Sequence, residues 1–292
     1  MILMSTPSPL QQLEREYQKL KKFNILFFCL ALLALIFCFI KPMLAMVTLV
    51  VSFVLKLLPG RKLRKTYENH MIHFRALNRL QQCVDNVQHS KEPSLSEQEI
   101  RAVRLLPCNA SAGSVLCCES GTGHYHGKTV SLGDVTLTHT FTENNKKRHN
   151  FLVGCWIQVE LHADTGLDCR FIGKNMLPWQ SLKEMLWVET DLKLCGIPLV
   201  LNSSWSILCP ENNSAMPGDA FLKQLEKLHK KTDGQIAVCV CKNHLHVFLK
   251  GEILGKNINA NIPPAVQLQN TVILENLPDA LALCDFLTGV QG

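Results

Sequence analysis

Phe23 to Ile40 reads FNILFFCLALLALIFCFI, eighteen residues with no charge and with Asn24 as the one strongly polar side chain. At about 1.5 Å per residue a helix of this length spans roughly 27 Å, close to the hydrocarbon thickness of a bilayer. Lys41-Pro42 interrupts the run, and Met43 to Leu58 resumes it as MLAMVTLVVSFVLKLL, with Lys56 near its end. The whole block is far too long for one span. A Lys-Pro pair is also a poor helix interior, since Pro removes a donor and Lys avoids hydrocarbon. The block therefore reads as a helical hairpin turning at Lys41-Pro42, with Lys56 snorkelling to the headgroups. A cleavable signal peptide fits poorly. The apolar core is long, it starts only after residue 22, and no small-x-small motif leads on to a polar segment.

The charges take sides around this hairpin. Of the net charge of +6, residues 1–22 hold +2, the apolar block +2 and residues 61–75 +4, which leaves −2 for residues 76–292. A nucleic-acid binder would carry its basic residues on the folded domain, so that class is excluded. Arg15, Lys19, Lys21 and Lys22 flank the first span, and Arg61, Lys62, Arg64 and Lys65 flank the second, whereas the turn has Lys41 alone. The positive-inside rule then places both termini in the cytoplasm. A second segment lying in the interface would instead put the C-terminal part on the opposite side. Eleven of the 13 cysteines lie outside the spans without the spacing of a secreted scaffold, which agrees with a reducing compartment. The sequons at Asn109, Asn202 and Asn212 then carry no glycan.

Leu10, Leu13, Tyr17 and Leu20 repeat at helical spacing before the first span. Tyr67, Met71, Phe74, Leu77, Leu80, Val84 and Val87 do so after the second. An antiparallel hairpin would bring these two helices together as a cytoplasmic stalk. Ser94 with Glu97 predicts a capping box opening a short helix to Leu106. From Val115 to about Phe171 the segments VLCC, TVSLGDVTLTHTF and FLVGCWIQVELHA predict strands, and Leu186 to Leu208 continues with short apolar runs. Asp219 to Lys231 is an amphipathic helix with Phe221, Leu222, Leu225 and Leu228 inward. Gln235 to Lys250 predicts a hairpin about Lys242-Asn243, with Ile236, Val238 and Val240 against Leu245, Val247 and Leu249. A polar loop with Pro263-Pro264, a strand at Thr271–Leu274 and a helix from Pro278 to Leu287 complete the chain. The fold class is α+β: an N-terminal two-helix transmembrane hairpin followed by a mixed helix and antiparallel-sheet cytoplasmic domain. Its parts are a cytoplasmic amphipathic helix over 1–22, the hairpin over 23–58, a membrane-proximal helix or stalk over 59–92 and the α+β domain over 93–292.

Gly127-Lys128-Thr129-Val130, Leu132-Gly133-Asp134-Val135, Val153-Gly154-Cys155-Trp156-Ile157, the Asp164 to Gly166 turn, Val188-Glu189, the 219–231 helix and the Asn243 hairpin follow one another in a distinctive order. In this order of parts the chain resembles a bacterial membrane protein family of unknown function (domain of unknown function 3137), as a divergent member. The resemblance implies two spans, a helical segment and a mixed α/β cytoplasmic domain, and it supplies no catalytic residue. The chain departs from the family ahead of the 219–231 helix. There Asn202-Ser203-Ser204-Trp205 and Pro210-Glu211-Asn212-Asn213 replace an acidic segment with Arg and Tyr.

Few constellations carry chemistry. Thr122 to Thr129 (TGHYHGKT) approaches a phosphate-binding loop, but such a loop needs Gly where Thr122 stands and a helix after Lys128. The following TVSLGDVTL alternates as a strand, so a glycine-rich β-turn is expected. Cys239, Cys241, His244 and His246 fall on one face of the predicted hairpin, opposite the aliphatic one, and are of the types zinc selects. The competing reading is a half-buried strand face in which Cys acts as a small hydrophobe. Four ligands on one flat hairpin converge poorly on a tetrahedron, so no metal is expected. His124, Tyr125, His126, His139 and His149 make residues 120–150 histidine-rich, as turn and strand-surface groups or as titrating ones. Cys117-Cys118 lacks a basic neighbour, and Lys146-Lys147-Arg148 reads as a solvated loop.

No catalytic or cofactor-binding residue is assigned. The chain reads as a membrane-anchored interaction or scaffold protein at the cytoplasmic face of a bacterial inner membrane. Its expected partners are the lipid bilayer and a protein, or a second copy, met through the Leu10–Leu20 and Tyr67–Val87 helices. The alternatives are a membrane-tethered hydrolase or metal-dependent enzyme using the His/Cys-rich strands, and a bacterial effector inserted in a host membrane.

Overall fold

A computed structural model describes residues 9–90, 92–189, 191–201, 204–254, 258–269 and 274–287. The chain divides into two compact units: Met1–Arg75 with Lys256–Thr271, and Ala76–Gly255 with Val272–Gly292.

In the first unit, α1 (Pro9–Ile40) carries the first apolar run and α2 (Pro42–Leu55) the second. Lys41 between them is extended, at φ −146°, and Pro42 starts α2 where its missing N–H costs nothing. The two helices pack against each other, and α1 and the continuous helix Pro42–Leu80 are each long and apolar enough to cross a membrane. Their buried positions within the apolar block are the small residues Ala34, Ala45 and Ser52, the side chains that let backbones approach. Phe28, Phe39 and Met43 point away from the protein, Phe39 at 86% exposed. In water such a surface would be strongly unfavourable; in lipid it is matched.

A five-residue π-helical stretch, Lys56–Gly60, joins α2 to α3 (Arg61–Leu80). Pro59 lies inside it and, lacking an N–H, cannot close the ordinary ladder, which widens the turn. Beyond the apolar block, Leu13, Tyr17 and Leu20 of α1 bury against Tyr67 and Met71 of α3 and against Ala260. Tyr17 and Tyr67 stand 6.0 Å apart between ring centroids. Burial pushes Tyr67 up to about 12. Gln267 closes this small core, donating to the Tyr67 hydroxyl (3.3 Å), the Ile262 carbonyl (2.7 Å) and the Asn259 carbonyl (2.9 Å). It belongs to α7 (Pro264–Gln269), a helix where the sequence reads as a polar loop.

The second unit is a nine-stranded antiparallel sheet in the order β1-β2-β3-β4-β9-β8-β5-β7-β6. The strands are β1 (Asp85–Ser90), β2 (Val115–Tyr125), β3 (Lys128–Glu143), β4 (Lys146–Glu160), β5 (Asp168–Gly173), β6 (Leu192–Leu194), β7 (Trp205–Pro210), β8 (Ile236–Cys241) and β9 (His244–Lys250). One face packs on α6 (Asp219–Lys231) and α8 (Leu277–Ala282), burying Phe171, Phe221, Val238 and Val247 among others. The other lies under α4 (Glu97–Val103) and α5 (Trp179–Val188), with Trp156, Phe248 and Leu182 inside. Both faces of the central strands are therefore dry, and the architecture is α+β.

Several local expectations need correction. The helix through Val87 ends at Leu80, and residues 85–90 form β1 instead. The reason lies in β2: a Cβ on Gly121 would sit 2.4 Å from Leu80 Cδ1, and one on Gly123 2.5 Å from Val84 Cγ1. These two glycines make a hollow that takes Leu80 and Val84 and lets the following backbone pair with β2. The capping box is formed by Ser96 and Glu99, two residues later than expected. Ser94 donates elsewhere, to the Leu132 carbonyl at 3.4 Å. Residues 179–188 form α5 where short apolar runs were expected from Leu186, because Pro178 starts a stretch without Gly or Pro. Lys146-Lys147-Arg148 opens β4 instead of a loop, since Asn144 and Asn145, at φ 51° and 59°, make the turn themselves. The helix expected over 278–287 is α8 followed by a 3-10 turn, Leu283–Phe286. The strand expected at 271–274 and the sequon at Asn202 fall largely outside the described residues.

Candidate functional site

The β8–β9 hairpin has the register that alternation predicts: Val238 faces Val247, Cys239 faces His246, and Cys241 faces His244. Lys242, at φ 53°, makes the turn. Cys239 and His246 are buried, however, while Cys241 and His244 are half-buried. The half-buried face expected of this hairpin is found at Cys241 and His244, whereas Cys239 and His246 are covered because β8 and β9 lie at the centre of the sheet.

Neighbouring strands extend the row in both directions. On β5, Arg170 pairs with Cys239 and Asp168 with Cys241; on β4, Gln158 pairs with His246 and Glu160 with His244. Arg170 is 2% exposed, and its charge is held by Asp168 Oδ1 at 2.7 Å and the Val103 carbonyl of α4 at 3.1 Å. A buried guanidinium paired this way keeps its charge. Trp156 Nε1 donates to His246 Nδ1 at 3.4 Å, which assigns the ring proton of neutral His246 to Nε2. The thiol of Cys239 donates to Cys241, and with the His246 and Arg170 positive ends this holds Cys241 below the ordinary thiol range against the opposing effect of burial. Burial pushes Cys239 far up. The row is thus a polar strip of thiol, imidazole and guanidinium beside an otherwise apolar interior.

Among the described residues no group of three or more His, Cys, Asp or Glu is arranged to hold a metal ion. Within the hairpin, same-face neighbours along one strand stand about 6.5–7 Å apart. Arg170, Asp168 and Trp156 were not among the sequence-level candidates. They reach the strip through strand order, although an Arg in the middle of the apolar DCRFIG is a visible signal.

The other candidates resolve as structural features. His126 and Gly127, at φ 48° and 77°, form a two-residue turn between Tyr125 and Lys128, so the GKT segment is a hairpin. Lys128 donates to Asp285 at 3.2 Å, and His126 Nδ1 is 3.1 Å from the same carboxylate. Burial raises the Asp285 carboxyl, but these two partners outweigh it and hold it down. His139 Nδ1 stands 2.6 Å from Ser181 Oγ, yet Ser181 is fully buried and tethers α5 to β3. No reactant could reach that oxygen. His124 and His149 stay on separate strands, Cys118 is exposed, and burial pushes Cys117 up to about 11.

Part of the sheet surface is left uncovered. Leu116, Val153 and Phe151 are 52%, 42% and 61% exposed, and the register sets Leu116 beside Thr136, Thr136 beside Val153 and Thr138 beside Phe151. They form an apolar stripe on one face, where β4 extends past its pairing with β9, which begins at Gly154. Compared with protein-family models, curated proteins and solved structures, the chain finds no match.

Proposed function

We propose that this chain is a membrane-anchored interaction protein of a bacterial inner membrane, with both termini in the cytoplasm and its sheet unit serving as the binding module. The observation that carries the reading is the helical pair α1–α2, whose large apolar side chains face outward while its contacts within the pair use small residues. The order of spans, helix and α/β part is also that implied by the resemblance to the bacterial family. The partner is a protein. Leu13, Tyr17, Leu20, Tyr67 and Met71 are spent on one another, so the helices first expected to meet a partner offer little apolar surface. The stripe of Leu116, Val153 and Phe151, beside a strand edge guarded by Lys146, Lys147 and Arg148, offers more.

The test is recovery of the full chain from membranes in mild detergent. A protein that accompanies the wild type should be lost with Phe151→Glu plus Val153→Glu, while membrane retention is unchanged. Equal recovery with both chains would count against the stripe. A second reading, a membrane-tethered hydrolase, is favoured by the Cys241–His246 arrangement, with Cys241 as nucleophile and His246 as the donor that helps hold its sulfur as thiolate. Thioester turnover abolished by Cys241→Ser would favour it.

A further inference from the structure

The end of the apolar hairpin remote from its Lys41 turn contains a cavity of about 430 Å³. Its lining combines the apolar Phe27, Phe53 and Leu57 with the basic Lys56, Arg61 and Arg64. The π-helical stretch supplies Lys56, Leu57 and Gly60 to its lining. The missing side chain of Gly60 admits Phe23, whose Cε1 would be 2.7 Å from a Cβ there. Lys56 bends over the cavity with its Nζ 4.5 Å from the Phe27 ring centroid, an arrangement that keeps the ammonium near hydrocarbon. Arg64 gives its Nε to Glu68 at 2.7 Å, while Lys56 and Arg61 have no carboxylate partner among the described residues. The lining therefore carries an excess of positive charge beside aromatic side chains. It sits at the level where the apolar sequence gives way to Lys21, Lys22 and Arg61.

We infer that this cavity binds one anionic phospholipid. The phosphodiester would sit between Lys56 and Arg61, and an acyl chain would lie along Phe27, Phe53 and Leu57. Charge complementarity selects a net-negative headgroup over a zwitterionic one, and the apolar part of the lining selects a lipid over a free anion. The volume lies within the range of pockets that enclose a small ligand or headgroup. The inference rests on the membrane-anchored reading.

The test uses the full chain. It is first reconstituted into vesicles of phosphatidylcholine alone and floated on a density gradient. Failure to float contradicts the anchor itself and with it the lipid site. If it floats, the chain is extracted in neutral detergent with equal phosphatidylglycerol and phosphatidylcholine, and bound lipid is counted by native mass spectrometry. One phosphatidylglycerol per chain is expected, retained in preference to phosphatidylcholine. Lys56→Ala plus Arg61→Ala should lower that retention about thirtyfold, whereas Lys62→Ala plus Lys65→Ala should leave it unchanged. Equal retention of the two lipids, or equal loss in both double variants, would overturn the site while the anchor stands. Displacement of the lipid by millimolar inorganic phosphate would also overturn it, in favour of a plain anion site.

Discussion

Cys241 occupies a position that a buried thiol seldom has: half-open, with Cys239 donating to it and His246 and Arg170 close by. A thiol whose pKa lies below the usual range stays thiolate as pH falls, so its alkylation by iodoacetamide should persist at mildly acidic pH, where other thiols have slowed. His246→Gln should move that profile back toward the ordinary thiol range. A Cys241 profile that titrates with the remaining thiols in both proteins would contradict the strip's electrostatics. His139 and His229 behave in the opposite sense to a partnered histidine. Burial, the larger influence on each, lowers their pKa below the unfolded value despite nearby Glu184 and Glu226. The native state then binds fewer protons than the unfolded chain, so stability should fall as pH drops below about 6.5. The midpoint of thermal unfolding, followed in detergent between neutral and mildly acidic pH, should decline, and His139→Gln should flatten part of that slope. At Gly154 the constraint is steric: a Cβ would stand 2.2 Å from the Leu249 carbonyl oxygen. Because the obstacle is backbone of the adjacent β9, Gly154→Ala should cost about 1–3 kcal/mol in chemical denaturation.

The β8–β9 hairpin sets the scale for the elements. Val238 is fully buried between Val247 and Phe171, so a carboxylate there has no partner and no water. Val238→Asp should cost several kcal/mol and remove folded protein from the detergent extract. Lys242→Ala, in a turn that stays at positive φ with either residue, should leave yield and melting nearly unchanged. Similar behaviour of the two variants would refute the register. This hairpin was legible because alternation is a local property, as were the Asp219–Lys231 helix and the strands from Val115 onward. What was illegible depends on contacts distant in sequence. Nothing local tells Val84 and Val87 to leave a helical pattern; the hollow at Gly121 and Gly123 does. Nor does alternation reveal that the Cys239 face is covered, since that follows from β8 lying between β9 and β5 and from α4 reaching Arg170 through Val103. The same limit hid Asp168, Arg170 and Trp156 from the candidate strip.

For the molecule as a whole, the spans and their flanking charges say more than any side-chain cluster. Four basic residues before the first span and four after the second, against one in the turn, predict that reporters fused at residue 22 and at residue 292 both lie on the cytoplasmic side. Opposite locations would mean that Pro42–Leu55 does not cross. The small residues Ala34, Ala45 and Ser52 inside the pair and the outward Phe28 and Phe39 make lipid the solvent in which this surface is stable. That claim is tested most directly by washing membranes that contain the full chain with alkaline carbonate. The protein should stay in the pellet and enter solution only with detergent; recovery in the carbonate supernatant would contradict the anchor.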